Sequence, residues 1–281
     1  MKTHSDYALP DPSGLLPDRP IAVRHPGFAD HRKMPFLGLI FLAFFLGVGI
    51  SALPGLYSDY RILRAPVEVS DAEISNAGCR SRKLSINCKA DILYRRDGTS
   101  QTRSVSFSFV EPGFREYESV VLAERGNPDN LTLSLAIEKF WNRLTGALGM
   151  MALFGILGVY MLRRYGQLSA TIKAFKQPAI LQPVWARVTH RADKRGTSRI
   201  TYAAIGTPNN AAVVSDIGKT ETAWIHYDPV QDETFTLAAV HPHAPFPALL
   251  DEQMERLDLN LDEAAKARAR RDALLSPEPV E

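Results

Sequence analysis

Cysteine is almost missing from this chain of 281 residues: there are two, Cys79 and Cys88, nine positions apart. A redox pair or a zinc knuckle is written C-x-x-C, and a zinc site needs two further ligands, so the spacing excludes both. Histidine is missing from a long middle stretch. His4, His25 and His31 precede it, and His190, His226, His241 and His243 follow it. Residues 57–143 therefore hold no histidine base and no histidine ligand. The G-x-S-x-G elbow, the G-x-x-x-x-G-K-[ST] phosphate loop and the G-x-G-x-x-G fingerprint are absent as well. The H-x-H of HPHAP (His241, His243) lies among prolines with no cysteine nearby and reads as a loop rather than a metal site. We expect no catalytic residue, cofactor or metal, with a lysine-assisted serine or a carboxylate pair left open as the catalytic alternative. An excess of one charge sign is lacking too. The 33 Lys and Arg face 31 Asp and Glu, for a net +2, and nothing points to nucleic acid.

Charge is absent altogether from two stretches, residues 34–56 (MPFLGLIFLAFFLGVGISALPGL) and 144–162 (LTGALGMMALFGILGVYML). A helix needs about 20 apolar residues to cross the hydrocarbon core. Both stretches read as transmembrane helices, the alternative being a pair of buried core helices. The first is preceded by 33 mostly polar residues and is too long for a signal-peptide core, so it reads as a retained anchor. Neither stretch contains Asp, Glu, Lys, Arg or His, which argues against a pump or channel acting alone.

Basic residues set orientation. Arg24, Arg32 and Lys33 precede the first span, and Arg163, Arg164, Lys173 and Lys176 follow the second. Arg61, Arg64, Lys139 and Arg143 lie between them. The bias puts both termini in the cytoplasm and residues 57–143 outside, as in the periplasm of a bacterial inner membrane. Both cysteines fall in that outside segment, where disulfides persist. A Cys79–Cys88 bridge there would contribute about 2.5–3 kcal/mol in the chain-entropy account. The alternative is two unrelated small buried residues.

The expected organisation is a disordered, proline-rich cytoplasmic tail (1–33), a first span (34–56), a periplasmic β domain (57–143) and a second span (144–162). A linker helix (163–182), a cytoplasmic β domain (183–243) and charged C-terminal helices (244–281) follow. The fold class is thus an α+β membrane protein with two transmembrane helices and two small antiparallel β domains, one on each side. In the outer domain Leu84, Ile86, Cys88, Ala90, Ile92 and Tyr94 alternate with polar residues, as in a half-buried strand. Asp97-Gly98 reads as a two-residue hairpin turn, and the return strand puts Val105, Phe107 and Phe109 on one face. Centring on that turn pairs Cys88 with Phe107 and Ala90 with Val105. SVVLAE and LTLSLA read as two further strands. Residues 119–136 lie over 223–240 without a gap, and Pro66-Val67 corresponds to Pro183-Val184, which suggests a repeated β unit. Chance similarity of short strands is the alternative.

This layout, with the pieces ILYRRDGTSQTRSVSF and WIHYDPVQDETFTL, resembles uncharacterised bacterial two-pass inner-membrane proteins that carry small repeated β domains. The resemblance covers roughly residues 60–240 and implies a fold and a location but no activity. In the outer copy VLAERGNP stands where the pattern would place a tyrosine.

The spans carry rows of small residues, Ala43, Gly47, Ser51 and Gly55 in the first and Gly146, Gly149, Ala152, Gly155 and Gly158 in the second. Such rows let helix backbones approach closely. Packing of i±4 ridges against i±3 ridges would set Gly47 and Ser51 against Gly149, Ala152 or Gly155. The function expected is a non-catalytic accessory or interaction subunit of a membrane assembly, in contact with the bilayer and protein partners. A transmembrane sensor with a periplasmic ligand-binding domain is the alternative, and a membrane-bound hydrolase a more distant one.

Overall fold

The computed structural model describes residues 9–274 apart from 83–84, 97, 113–116, 195, 208–210 and 230. The protein is mixed α+β and forms two compact units. The central unit is Leu37–Tyr160, and the terminal unit combines the chain before it with the chain after it.

Helix α1 runs Met34–Arg64. In the central unit it is followed by β1 (Pro66–Glu68), β2 (Glu73–Arg82), β3 (Ser85–Arg96) and β4 (Thr99–Val110). Then come β5 (Val121–Glu124), β6 (Asn127–Leu133), the short helix α2 (Ser134–Glu138) and α3 (Phe140–Phe175). Strands β2-β3-β4 form one antiparallel sheet and β1-β5-β6 another. The period-two pattern holds: Ile86, Cys88, Ala90 and Ile92 are buried while Asn87, Lys89 and Leu93 are exposed. Cys88 pairs with Phe107 and Ala90 with Val105, as expected, and Arg96 opposite Thr99 leaves two residues for the turn. Gly98 sits there at φ +79°, a conformation that costs glycine nothing; Asp97, like Leu84, lies outside the described residues. Cys79 is directly opposite Cys88 and bonded to it. A bulge between Ser75 and Gly78 contains Asn76 at φ +49°, whose amide donates to Asp91 Oδ2 at 2.9 Å. The two sheets enclose one core, in which Ile86, Ile92, Phe107 and Phe109 meet Val121, Leu131 and Leu133.

Both apolar stretches lie in single long helices, and both extend beyond the expected spans. The expected linker helix is the last part of α3, ending at Phe175. One expected strand is shorter: after Leu133 the chain turns into α2, because Leu135 and Ala136 continue into the core as helical residues.

The terminal unit holds a sheet in the order β10-β11-β7-β8-β9, with β12 (Ala248–Leu249) added on β11. Its strands are β7 (Gln182–Lys194), β8 (Thr197–Ala204), β9 (Val213–Ile217), β10 (Ile225–Asp228) and β11 (Glu233–Val240). Helix α4, Leu261–Leu274, follows. The expectation of a disordered tail fails from Leu9 onward. Leu15, Leu16, Ile21, Val23 and Phe28 are buried in the same core as Trp185, Ile200, Tyr202 and Phe235. Ile21 bridges Ala179, Val23 bridges Leu257 and Phe28 bridges Ser215. The tail is an extended strap, so its anchors follow the surface beneath it and show no helical or strand period. Its prolines lower the entropy lost on ordering. Of the expected charged C-terminal helices, α4 forms, but residues 244–260 are largely irregular and bury Phe246, Leu250, Met254 and Leu257.

Arg256 joins these irregular pieces. It is 2% exposed, and its guanidinium donates to Glu221 Oε2 at 2.6 Å, Ser215 Oγ at 3.0 Å and the Asp216 carbonyl at 2.7 Å. Gly27 lies so close that a Cβ there would stand 2.6 Å from Nη1.

The repeat is local only. Each unit contains a three-stranded meander followed by a hairpin. Val67, however, pairs with Ala123 on the first hairpin strand, while Val184 pairs with Ala238 on the second.

The tail is tied to α4 by an ion pair that acid should open. Asn260 and Glu263 form a reciprocal cap, N–H to side chain in both directions at 3.0 and 2.8 Å. Arg19 donates to the same carboxylate at 2.6 and 2.5 Å. The Arg19 hydrogen bonds, then the Asn260 N–H, lower the Glu263 pKa from 4.5 to about 2. The folded value is depressed, so this stabilisation is complete above 4.5 and is lost as the pH falls toward 2. Hydrogen-exchange protection of residues 9–33 should therefore fall across that window while β8 stays protected. Glu263→Gln should weaken tail protection already at neutral pH and flatten its pH dependence. Equal loss in tail and β8 would mean global unfolding instead.

Candidate binding groove

Within the central unit, α1 and α3 meet along Gly38, Leu42, Phe45, Gly49 and Asp59, and the steps from Gly38 to Gly49 alternate between four and three. Leu42 fills the space at Gly158, where an added Cβ would stand 2.9 Å from it and 3.2 Å from the Gly38 carbonyl. Phe45 lies 3.3 Å from the corresponding point at Gly155, and Met151 3.4 Å from that at Gly49. Phe44 and Phe154 stack at 5.4 Å.

Of the expected contact residues, Gly155 and Gly158 therefore face α1. Gly47, Gly55, Gly146 and Gly149 have nothing within 4 Å of a built Cβ, and Ala43, Ser51 and Ala152 are exposed. The expected pairing of Gly47 and Ser51 with Gly149 or Ala152 is not what forms. Steps of four advance 400° around a helix of 3.6 residues per turn, so a strict every-fourth row winds off the seam, while alternating three and four stays on it. Large residues lodged over glycine, not glycine over glycine, make the contact.

Polar residues fix the upper end of this helix pair to the sheets. Arg143 Nη1 donates to Asp59 Oδ2 at 2.6 Å and to the Ala136 carbonyl at 3.0 Å, and its guanidinium lies 5.1 Å over the Phe107 ring. The Arg143 and Asp59 side chains are only 9% and 8% exposed. The Asn142 amide clasps the edge of β4, accepting from Val110 N–H at 2.9 Å and donating to its carbonyl at 2.8 Å. Asn130 donates to Glu124 at 3.0 Å, and Arg61 donates to the other oxygen of that carboxylate at 2.9 Å. In the sequence Arg143 and Arg61 stand out only as topology signals. Nothing in a single sequence separates a buried arginine from an exposed one.

A groove of about 470 Å³ lies where the β3–β4 ladder faces these helices. One wall is Val48, Ser51, Ala52, Gly55 and Leu56 of α1 with Gly146, Ala147 and Met150 of α3. The other carries Asn87, Lys89, Ser106 and Ser108, with Asn142 and Arg143 at the helix end. Among the described residues no carboxylate and no histidine lines it. Lys89 stands directly opposite Ser106 on the ladder and is exposed. On the same face, Ser104 and Asn76 hold the Asp91 pKa down by donating to its carboxylate.

In the terminal unit His241 is buried and both ring nitrogens are engaged. Nε2 donates to the Gln177 carbonyl at 3.2 Å, and Nδ1 accepts the His243 N–H at 3.1 Å. Burial pushes its pKa down, in keeping with a neutral ring. Among the described residues no group of three or more His, Cys, Asp and Glu is placed to hold a metal ion. No known protein family, curated protein or solved structure matches the chain.

Two substitution experiments test this geometry. Gly158→Leu must displace Leu42 or the α1 backbone and should cost about 1–3 kcal/mol, the range for overpacking. Gly47→Leu points into open space and should stay within about 0.5 kcal/mol of the parent. Thermal unfolding of the purified chain in detergent separates them, and equal effects would refute the seam. Asp59→Ala leaves Arg143 buried without its counter-charge and should cost about 3–5 kcal/mol. The double variant Asp59→Ala/Arg143→Met should recover much of that loss in the same assay, whereas additive losses would show that the pair is not coupled.

Proposed function

We propose that this chain is a two-pass membrane protein that works by binding rather than by catalysis, as an accessory subunit of a membrane assembly. The observation that carries this reading is the exposed apolar surface of α1 and α3. Phe36, Leu39, Phe44, Leu46 and Ile50 on α1, with Leu153, Ile156 and Val159 on α3, are each at least half exposed or nearly so. Only 11% and 6% of the two most apolar windows are buried, unlike the core helices of a water-soluble fold. So large a contiguous apolar surface needs a nonaqueous neighbour. Exposed Tyr57, Tyr60 and Trp141 mark one end of these helices, and Phe36 and Tyr160 the other. From Trp141 to Tyr160 is nineteen positions, about 28 Å of helix, which matches a hydrocarbon core of about 30 Å between aromatic belts.

Ala43 and Gly47, which are not used by α3 and lie outside the groove, are the surface we assign to a partner helix. Placement of both termini in the cytoplasm of a bacterium, with the 57–143 segment in the periplasm, rests on the basic residues flanking the spans. The Cys79–Cys88 disulfide agrees with an oxidising compartment for that segment. Kinship with two-pass bacterial proteins bearing small β domains belongs to the same proposal. A lysine-assisted hydrolase is disfavoured because a lysine base is desolvated among apolar groups, and Lys89 is exposed. The groove favours, as a second reading, a regulatory protein that binds a ligand in the central unit.

Reporter fusions test the topology. Alkaline phosphatase, which matures only outside the cytoplasm, should be active when fused after Gly126 and inactive after Gly206. The reverse pattern would overturn the orientation. Release of the intact chain by alkaline carbonate would overturn membrane insertion itself.

A further inference from the structure

We infer that the central-unit groove binds an anionic phospholipid from the surrounding leaflet, with the headgroup phosphate at Lys89 and an acyl chain along the helix wall. The inference rests on the membrane reading above and deepens it. Charge comes first. Among the described residues, Lys89 and Arg143 are the charged ones that line the groove. Arg143 is committed to Asp59, while Lys89 makes no ion pair among the described residues. The Lys89 ammonium is thus the unpaired cation of the described lining, and the nearest carboxylate along its strand, Asp91, is held by Ser104 and Asn76. A phosphate oxygen would also meet the hydroxyl of Ser106, directly across the ladder.

Polarity comes next. The sheet wall offers an ammonium, hydroxyls and an amide beside Phe107, Phe109 and Val110, and the helix wall is mainly apolar, with Val48, Ala52 and Met150. Between these lies a trough over Gly55 and Gly146, where a built Cβ would meet nothing within 4 Å. A small soluble anion has no use for that trough, and a plain hydrocarbon has no use for the lysine. An amphiphile satisfies both walls. Depth agrees: Val48 to Leu56 is eight positions, about 12 Å along α1, close to the half-thickness of a core about 30 Å thick. The polar end lies beside Asn142, next to the exposed Trp141 that marks the interface. The volume of about 470 Å³ falls within the usual range of small-molecule sites, about 300–1,000 Å³.

The test uses the full chain purified in mild detergent and examined by native mass spectrometry with added phosphatidylglycerol, phosphatidylcholine of the same acyl chains, or glycerol phosphate. Phosphatidylglycerol should be retained about tenfold more than phosphatidylcholine, and glycerol phosphate should not compete. Lys89→Glu should abolish the preference, whereas Arg95→Glu, on the same strand but outside the groove, should keep it. Gly146→Leu, whose Cβ enters open space in the trough, should lower retention of both lipids while thermal unfolding stays unchanged. Equal retention of the two lipids, or no effect of Lys89→Glu, would overturn the lipid site. Full competition by glycerol phosphate would make this an anion site without a lipid and overturn it as well. Resistance to carbonate extraction is measured on the same protein. A chain that resists extraction yet shows no lipid preference refutes the groove alone, and a chain released by carbonate refutes the membrane reading beneath it.

Discussion

The central unit depends on one buried charge pair. Asp59 comes from α1 and Arg143 from α3, and the same guanidinium also bonds the end of α2 and covers an aromatic ring of β4. Removing two such ions from water costs several kcal/mol each, which a single contact does not return. Here the guanidinium gains a carboxylate, a carbonyl and a ring face together. The consequence is positional. Two helices that are apolar nearly all round have little hydrophobic reason to prefer one rotation over another. A polar pair at one end of their seam selects a register, as a single buried asparagine does in a coiled coil. Leu42 and Phe45 then fall over Gly158 and Gly155. The same guanidinium reaches the β3–β4 ladder through Phe107, and together with the Asn142 clasp on Val110 it ties the ladder to the helices that wall the groove.

What the sequence made legible follows from periodicity. Strands β3 and β4 could be aligned residue by residue, because alternation fixes the face and a two-residue turn fixes the offset. The two long helices were legible as uncharged runs. Their seam was not, because the eye finds small residues and the contact is made of large ones against small. The strap at 9–33 and the stretch 244–260 have no period to find. Their anchors, such as Ile21, Val23, Phe246 and Leu257, are spaced by the surface they cover. The cap Asn260–Glu263 was readable as an N-x-x-E start to α4, and it would have corrected the expected helix boundary.

The groove was less legible than the fold. Lys89 sits at an ordinary polar position of an alternating strand, and its place in the groove is a fact of three dimensions. Asn142, Arg143 and Asp59 look like the flanks of membrane spans. Their roles come from which strand ends beside them, and that depends on the lengths of β3, β4 and α2 together.

The two units show how one local pattern can be closed in two ways. Each has a meander and then a hairpin, and each meander sheet leaves an apolar face to cover. In the central unit the hairpin separates from the meander, takes β1 as a third strand and becomes the opposing sheet. In the terminal unit the second hairpin strand pairs with β7, so the hairpin extends the meander sheet. It is then no longer available as a separate second layer. The missing layer has to come from elsewhere in the chain, and it comes from both ends: the strap before α1 and the irregular run after β11 share one core with Trp185, Ile200 and Tyr202. Arg256 is the joint between them, bonded to β9 and Glu221 and packed against Gly27 of the strap. On this argument the order of the tail is not incidental. It follows from the choice of β11 rather than β10 as the neighbour of β7.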